Sequence, residues 1–293
     1  MPSPLWALLG ALLLVLVACE RSPATSDIRE NTAQIGDLAQ RYRTVGQGPP
    51  LLLVHGLTNT WRIWRPYMDT LAEKHWLIIP DLRGHGDTKN PASTLTEWQV
   101  ARDMLALLDT LGVKQVQLVG FSFGGHVALR MAALQPERVE AMIVIAGAHQ
   151  LLGPARKTIE DNRGTNLPQG WYLDVASTWH PAGEVQVQQL WREGVASALG
   201  NDFGIPDELL AAIRARTLVI QGDRDDYFPL DVPLDLYRKI QKAQLWIIPN
   251  TTHATVFFQD VAPSEQDFGG GRLAARIFPE VIDEFLAAKG SQK

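Results

Sequence analysis

The chain has 293 residues, 46% of them hydrophobic and 20% charged, and a formal net charge of −5. That is an ordinary globular composition, and the length suits one large α/β domain that can bury its own core without staples. There is no clustered basic stripe of the kind nucleic acid binding requires, and a single cysteine, Cys19, excludes an internal disulfide.

Residues Leu5 to Ala18 are apolar or glycine throughout. As a helix they would span about 21 Å, short of a ~30 Å hydrocarbon core, so residues 1–18 read as a signal peptide. The following Leu16-Val17-Ala18-Cys19 resembles the bacterial lipoprotein signal, whose cysteine is lipidated and becomes the first mature residue. The resemblance implies an exported protein held to the periplasmic face of a bacterial membrane by a lipid on Cys19. A plain secretory signal or an uncleaved anchor is the alternative, because Met1-Pro2-Ser3-Pro4 lacks Lys and Arg. Residues 19–33 read as a solvated tether.

From about Ile35 the pattern alternates strand and helix. Leu51 to Val54 is a short apolar run ending in His55-Gly56, as a buried parallel strand would. A helix is expected over 64–74, and a second strand over Trp76 to Ile79 before Pro80-Asp81. Thr94 to Glu97 has the form of a capping box, opening a helix whose apolar face is Trp98, Ala101, Leu105, Leu108 and Leu111 and which Gly112 stops. Val116 to Val119 is a third strand, and Phe123 to Leu134 a helix. Further strands are expected at 142–145, 217–220 and 245–248, and a last helix from Pro279 to Ala288 with the proline in its first turn. These elements predict an α/β fold: a mostly parallel twisted sheet with helices on both faces. Ligands of such sheets bind at the carboxyl ends of the strands. The stretch 149–206 breaks the rhythm and holds Trp171, Trp179 and Trp191; it reads as an inserted helical cap, leaving a core over 34–148 and 207–289. The segment 254–276 is either a lid or a disordered insertion.

Gly120-Phe121-Ser122-Phe123-Gly124 lies between a strand and a helix, the context of a G-x-S-x-G nucleophile elbow. A sharp strand-to-helix turn needs small residues around the serine and sets it at the positive end of a helix. Serine requires a base to take its proton. Of seven histidines, His253 follows the last strand, where a base would stand. A carboxylate must orient it, and Asp223, Asp225 and Asp226 all follow the preceding strand. The loop after the fourth strand, Gly147-Ala148, offers none. Oxyanion donors are expected from the backbone N–H groups of Phe123 and Leu57. Candidate pocket residues are His55, Phe121, His149, Trp171 and Trp179. A structural role competes for His55, and a cap-hinge role for His149.

Together His55-Gly56, Asp81-Leu82-Arg83-Gly84-His85-Gly86, Gly120 to Gly125, Gly222-Asp223-Arg224-Asp225 and His253 resemble the α/β-hydrolase superfamily, in its cap-bearing branch. That branch includes small esterases, haloperoxidase-like perhydrolases, C–C bond hydrolases and lactonases. The resemblance implies a carboxylate three residues after the motif glycine, which selects Asp225 and gives the order Ser122, Asp225, His253. It implies a small-molecule substrate; no cofactor is expected, and no Cys/His cluster stands at metal-ligand spacing, so no metal is expected either. Epoxide hydrolases and haloalkane dehalogenases of this fold use an aspartate nucleophile, against which Ser122 argues. The expected activity is hydrolysis of a small, apolar carboxylic ester through an acyl-enzyme. The alternatives are a C–C hydrolase, lactonase, acyltransferase or perhydrolase using the same residues, or a ligand receptor with little turnover.

Overall fold

The computed structural model describes residues 27–92, 94–161, 171–201, 203–254, 256–257 and 270–288. The signal and lipidation expectations, Cys19 included, lie outside the described residues. Among the described residues no helix is long and apolar enough to cross a membrane.

The sheet has eight strands. They are β1 (Arg29–Ile35), β2 (Leu38–Val45), β3 (Pro50–Val54), β4 (Trp76–Pro80), β5 (Val116–Phe121), β6 (Val139–Ile145), β7 (Arg216–Gly222) and β8 (Ala243–Ile248). Their order across the sheet is β1-β2-β4-β3-β5-β6-β7-β8. The β1–β2 and β2–β4 pairs are antiparallel and the others parallel.

Alternation within each strand feeds two core layers. Leu52, Val54, Leu118, Met142 and Val144 pack with α2 (Glu97–Thr110) and α3 (Phe123–Leu134) on one face. Leu51, Leu53, Val119, Ile143 and Ile145 pack with α1 (Arg65–Ala72) and α9 (Gly270–Ala287) on the other. Because both faces are covered, these strands are largely apolar, with Gln117 of β5 and Glu140 of β6 the polar exceptions.

Four expectations are corrected. The expected tether runs into ordered structure: β1 begins at Arg29 and pairs with β2 along its full length. The 64–74 helix is a 3-10 turn at Trp61–Trp64 followed by α1, with Pro66 in the first turn of α1. The N-cap of α2 is Thr96, whose hydroxyl accepts from Gln99 N, so Glu97 is the first helical residue and does not close a box on Thr94. Gly112 ends α2 as expected, at φ +69°. Finally, α9 starts nine residues before Pro279, which sits inside it. Residues 270–276 of the supposed lid or insertion therefore belong to this helix, while 258–269 lie outside the described residues.

The stretch expected as a cap is helical where described: α4 (Gly153–Asp161), α5 (Trp171–Thr178) and α6 (Glu184–Leu199). It docks on the core loops. Gln186 of α6 donates to the carbonyls of Gly84 and Gly86, and Ser197 donates to Glu97 at 2.5 Å. A Cβ on Gly194 would fall 2.4 Å from the Leu57 side chain, so a glycine is what lets α6 lie against the loop after β3. Two helices complete the core, α7 (Asp207–Ala211) and α8 (Asp231–Lys239).

Candidate active site

The chain places β4 to one side of β3 and β5 to the other, so the strand order reverses between β3 and β5. A crevice opens at the carboxyl ends of strands at such a switch point. Val54 pairs with Gly120, which brings the loop His55-Gly56-Leu57 beside the turn at Ser122.

Ser122 holds φ +51° and ψ −115°, a conformation few side-chain-bearing residues adopt. Its N–H donates to Ile145 O at 2.8 Å, and its carbonyl accepts from His126 N at 3.0 Å, starting α3. The turn is closed by glycine. A Cβ on Gly124 would sit 2.1 Å from Val54 O, and one on Gly120 would sit 2.3 Å from Gly124 O. Phe123 is the first residue of α3, so its N–H has no acceptor within the helix.

His253 stands in the loop after β8. Ser122 Oγ lies 2.8 Å from its Nε2, and its Nδ1 lies 2.8 Å from Asp225 Oδ2. A carboxylate can only accept, which fixes the proton on Nδ1 and leaves Nε2 to accept from the serine hydroxyl. Asp225 is buried, and its other oxygen accepts the backbone N–H groups of Tyr227 (2.8 Å) and Phe228 (2.9 Å). The two loops are knitted to each other, with Asp223 N donating to Ile248 O and Arg224 N to Thr251 O. A hydroxyl bonded to a neutral imidazole that a buried carboxylate orients can lose its proton as it attacks an electrophile.

Of the three candidate acids, Asp225 alone among the described contacts meets His253. Asp223 and Asp226 are exposed, and Asp223 accepts from Thr251 N.

The loop after β3 is braced by two histidines. His55 Nδ1 donates to Gly56 O (2.8 Å) and its Nε2 accepts from Leu82 N (3.0 Å). His85 Nε2 accepts from Thr58 N, next to Leu57. Burial pushes His55 down to about 4 and holds His85 well below the usual imidazole range, so both are neutral at pH 7. With both ring nitrogens engaged by backbone, His55 braces the loop and has none left for a substrate.

Phe121 is buried beneath the site, its ring 5.6 Å from His253 and 4.7 Å from Phe257. His149 is fully buried at the root of the cap, 3.0 Å from Asp235 Oδ2 but off the line of a hydrogen bond, and burial pushes it down to about 4. Trp179 is half-buried in the turn after α5. Trp171 opens α5, and its side chain lies outside what is described.

Sequence reasoning missed Tyr227 and Phe228, whose rings lie 4.9 and 5.5 Å from the His253 ring. Their position two and three residues after Asp225 was the available signal. Trp191 of α6 reaches Tyr227 at 6.2 Å and so joins cap to site. Among the described residues no group of three or more His, Cys, Asp or Glu could hold a metal ion.

Residues 49–194 match the family model described as the alpha/beta hydrolase fold. A 2-hydroxymuconate semialdehyde hydrolase of Pseudomonas sp. strain CF600 is 32% identical over 255 residues, covering 77% of this chain and 90% of that protein. A soluble epoxide hydrolase of Corynebacterium sp. strain C12 is 34% identical over 121 residues, covering 41% of this chain and 42% of that protein. Among solved structures, an enol-lactonase from Burkholderia xenovorans LB400 superposes with a TM-score of 0.69 at 18% identity, covering 88% of this chain and 100% of that one. The chain belongs to the α/β-hydrolase family.

Proposed function

We propose that this protein is a serine hydrolase that cleaves a small, apolar carboxylic ester. Ser122 attacks the carbonyl and His253 takes its proton. Asp225 orients His253 and stabilises the imidazolium, and the N–H groups of Phe123 and Leu57 hold the oxyanion. His253 then returns the proton to the departing alcohol, and water releases the acyl group by the same route. The observation that carries this reading is the continuous chain of two 2.8 Å contacts from Asp225 through His253 to Ser122. The aromatic rings of Phe121, Tyr227 and Phe228 around His253 support an apolar acyl group. A serine at the elbow speaks against epoxide hydrolysis.

A fluorophosphonate probe is expected to label the wild type and not Ser122→Ala, and a panel of esters of varied acyl length is expected to be turned over by the wild type alone. Folded wild type that resists the probe overturns the reading.

A second reading has its own support. A relative matched over 90% of its length is a 2-hydroxymuconate semialdehyde hydrolase, which favours cleavage of a carbon–carbon bond by the same residues. Turnover of 2-hydroxymuconate semialdehyde well above that of any ester in the panel would select it.

We also propose that the chain is cleaved after Ala18, carries a lipid on Cys19 and is held at a membrane. Cells treated with globomycin are expected to accumulate uncleaved precursor, and unchanged processing would overturn it.

A further inference from the structure

We propose that Gln221 is a positioning residue for the acid–base pair, fixing the Asp225 carboxylate so that Oδ2 meets His253; this rests on the serine-hydrolase reading above. Gln221 is fully buried near the end of β7, one residue before the Gly222 that starts the turn carrying Asp225. Its Nε2 lies 2.5 Å from Asp225 Oδ2 and 2.9 Å from Phe228 O. Both neighbours are acceptors at neutral pH, so only the NH2 end of the amide can face them, and its two hydrogens are both used.

The consequence is a completed carboxylate. Oδ1 accepts from Tyr227 N and Phe228 N, and Oδ2 accepts from Gln221 Nε2 and His253 Nδ1. Four donors occupy the carboxylate's roughly four lone-pair sites. Rotation about the Cβ–Cγ bond would break all four together, so the oxygen offered to His253 is held. Because Gln221 also binds Phe228 O, one amide ties the acid to the turn that supplies its backbone donors.

The donor is neutral. A lysine or arginine here would neutralise the charge that must stabilise the imidazolium, whereas an amide orients Asp225 and leaves its charge intact. The amide's own Oε1 is buried and has no hydrogen-bond partner among the described residues.

The test compares Gln221→Met, which keeps the length and removes the donor, with Gln221→Glu, which keeps the shape and sets an acceptor against Asp225. Read kcat and KM on the best ester, the fluorophosphonate labelling rate, the melting temperature, and the far-downfield proton resonance of His253 Nδ1–H. Expected for Gln221→Met is a fall in kcat of about 10- to 100-fold, the scale of one hydrogen bond to a charged group, with KM within about twofold. The labelling rate falls in parallel and the downfield resonance shifts or broadens. Gln221→Glu is expected to fall further. If Gln221→Met does not fold, the glutamate variant carries the same comparison. A kcat and labelling rate within twofold of wild type in the folded variants, with only the melting temperature lowered, overturns the proposal. Absence of labelling in the wild type would instead refute the serine-hydrolase reading.

Discussion

His253 Nδ1 meets Asp225 Oδ2 at 2.8 Å, although Asp223 stands only two residues before Asp225 in the same turn. The strand end explains the choice. Asp223 N is tied to Ile248 O and its side chain accepts from Thr251 N, so it faces the β8 loop backbone at the surface. Asp225 lies past the turn and is drawn inward by the N–H groups of Tyr227 and Phe228.

The first prediction follows. Asp225→Asn is expected to lower kcat by about 10⁴-fold with little change in fold, because an amide can donate to His253 and so stabilise the wrong tautomer. Asp223→Asn is expected to stay within a few-fold of wild type, since its side chain holds a loop backbone rather than the imidazole. Steady-state kinetics on both variants decides it, and the reverse pattern would move the acid to Asp223.

A second prediction concerns acid. Burial lowers His55 and His149 to about 4, holds His85 well below the usual range, and lowers His126 and His180. In the unfolded chain each titrates near 6.5. Between those values the unfolded state binds protons that the fold refuses, so stability falls as the pH drops from about 6.5 towards 4 and is fully present above 6.5. For His55 alone the loss is about 3 kcal/mol across that window. Denaturant melts at pH 7, 6, 5 and 4.5 should show this slope. A His85→Gln variant should flatten it, since the Gln Oε1 can still accept the Thr58 N–H and cannot titrate.

A third prediction concerns the seam between core and cap. Arg130 of α3 is fully buried between the rings of Trp98 and Phe203 and donates to the carbonyls of His126 and Phe203. Glu97, also buried, accepts from Ser197 of α6. Burial would raise that carboxyl, but His126, Arg130 and Ser197 together outweigh it and hold it low. Arg130→Met strands the glutamate charge and the Phe203 carbonyl, at a cost of about 3 kcal/mol. Adding Glu97→Gln should restore part of the loss. Urea unfolding of the single and double variants measures it, and purely additive losses would show that the two charges are uncoupled.

How much of this is legible in the sequence depends on how each feature is stabilised. Strands β3 to β7 are legible because cover on both faces leaves a largely apolar run in each. The β1–β2 hairpin is not, because Arg-Glu-Asn-Thr-Ala-Gln-Ile buries only Ala33 along its length. Its signal is the two-residue loop Gly36-Asp37, with Gly36 at φ +57° as a primed hairpin turn needs. Pro279 misleads about the start of α9, although Ala274, Ala275, Phe278, Ile282, Phe285 and Leu286 carry buried helical spacing straight through the proline. Ser122 and His253 are legible from motif and position. Asp225 is separable from Asp223 and Asp226 only by the family motif, since burial distinguishes them and composition does not.

The last prediction isolates the elbow's geometry from its chemistry. Gly124 follows Ser122 by two residues and presses the start of α3 against the end of β3. A Cβ there would stand 2.1 Å from Val54 O, 2.6 Å from Val54 C and 2.7 Å from His55 O, all backbone atoms at the end of a central strand paired on both sides. No side chain can move to relieve it. Gly124→Ala must therefore push α3 away from β3, carrying Ser122 and Phe123 N–H away from the loop at Leu57. The expected result is loss of folded protein, or a folded variant with the fluorophosphonate labelling rate down by at least about 100-fold, since displacements of about 1 Å at a reacting group cost that much. Gly153→Ala is the control: among the described residues nothing lies within 4 Å of where its Cβ would stand, and α4 should gain slightly from the alanine. Expression, melting temperature and labelling rate of the two variants compare one added methyl at the elbow with one in the cap. Wild-type labelling by Gly124→Ala would mean that the close approach of α3 to β3 is not what aims the serine.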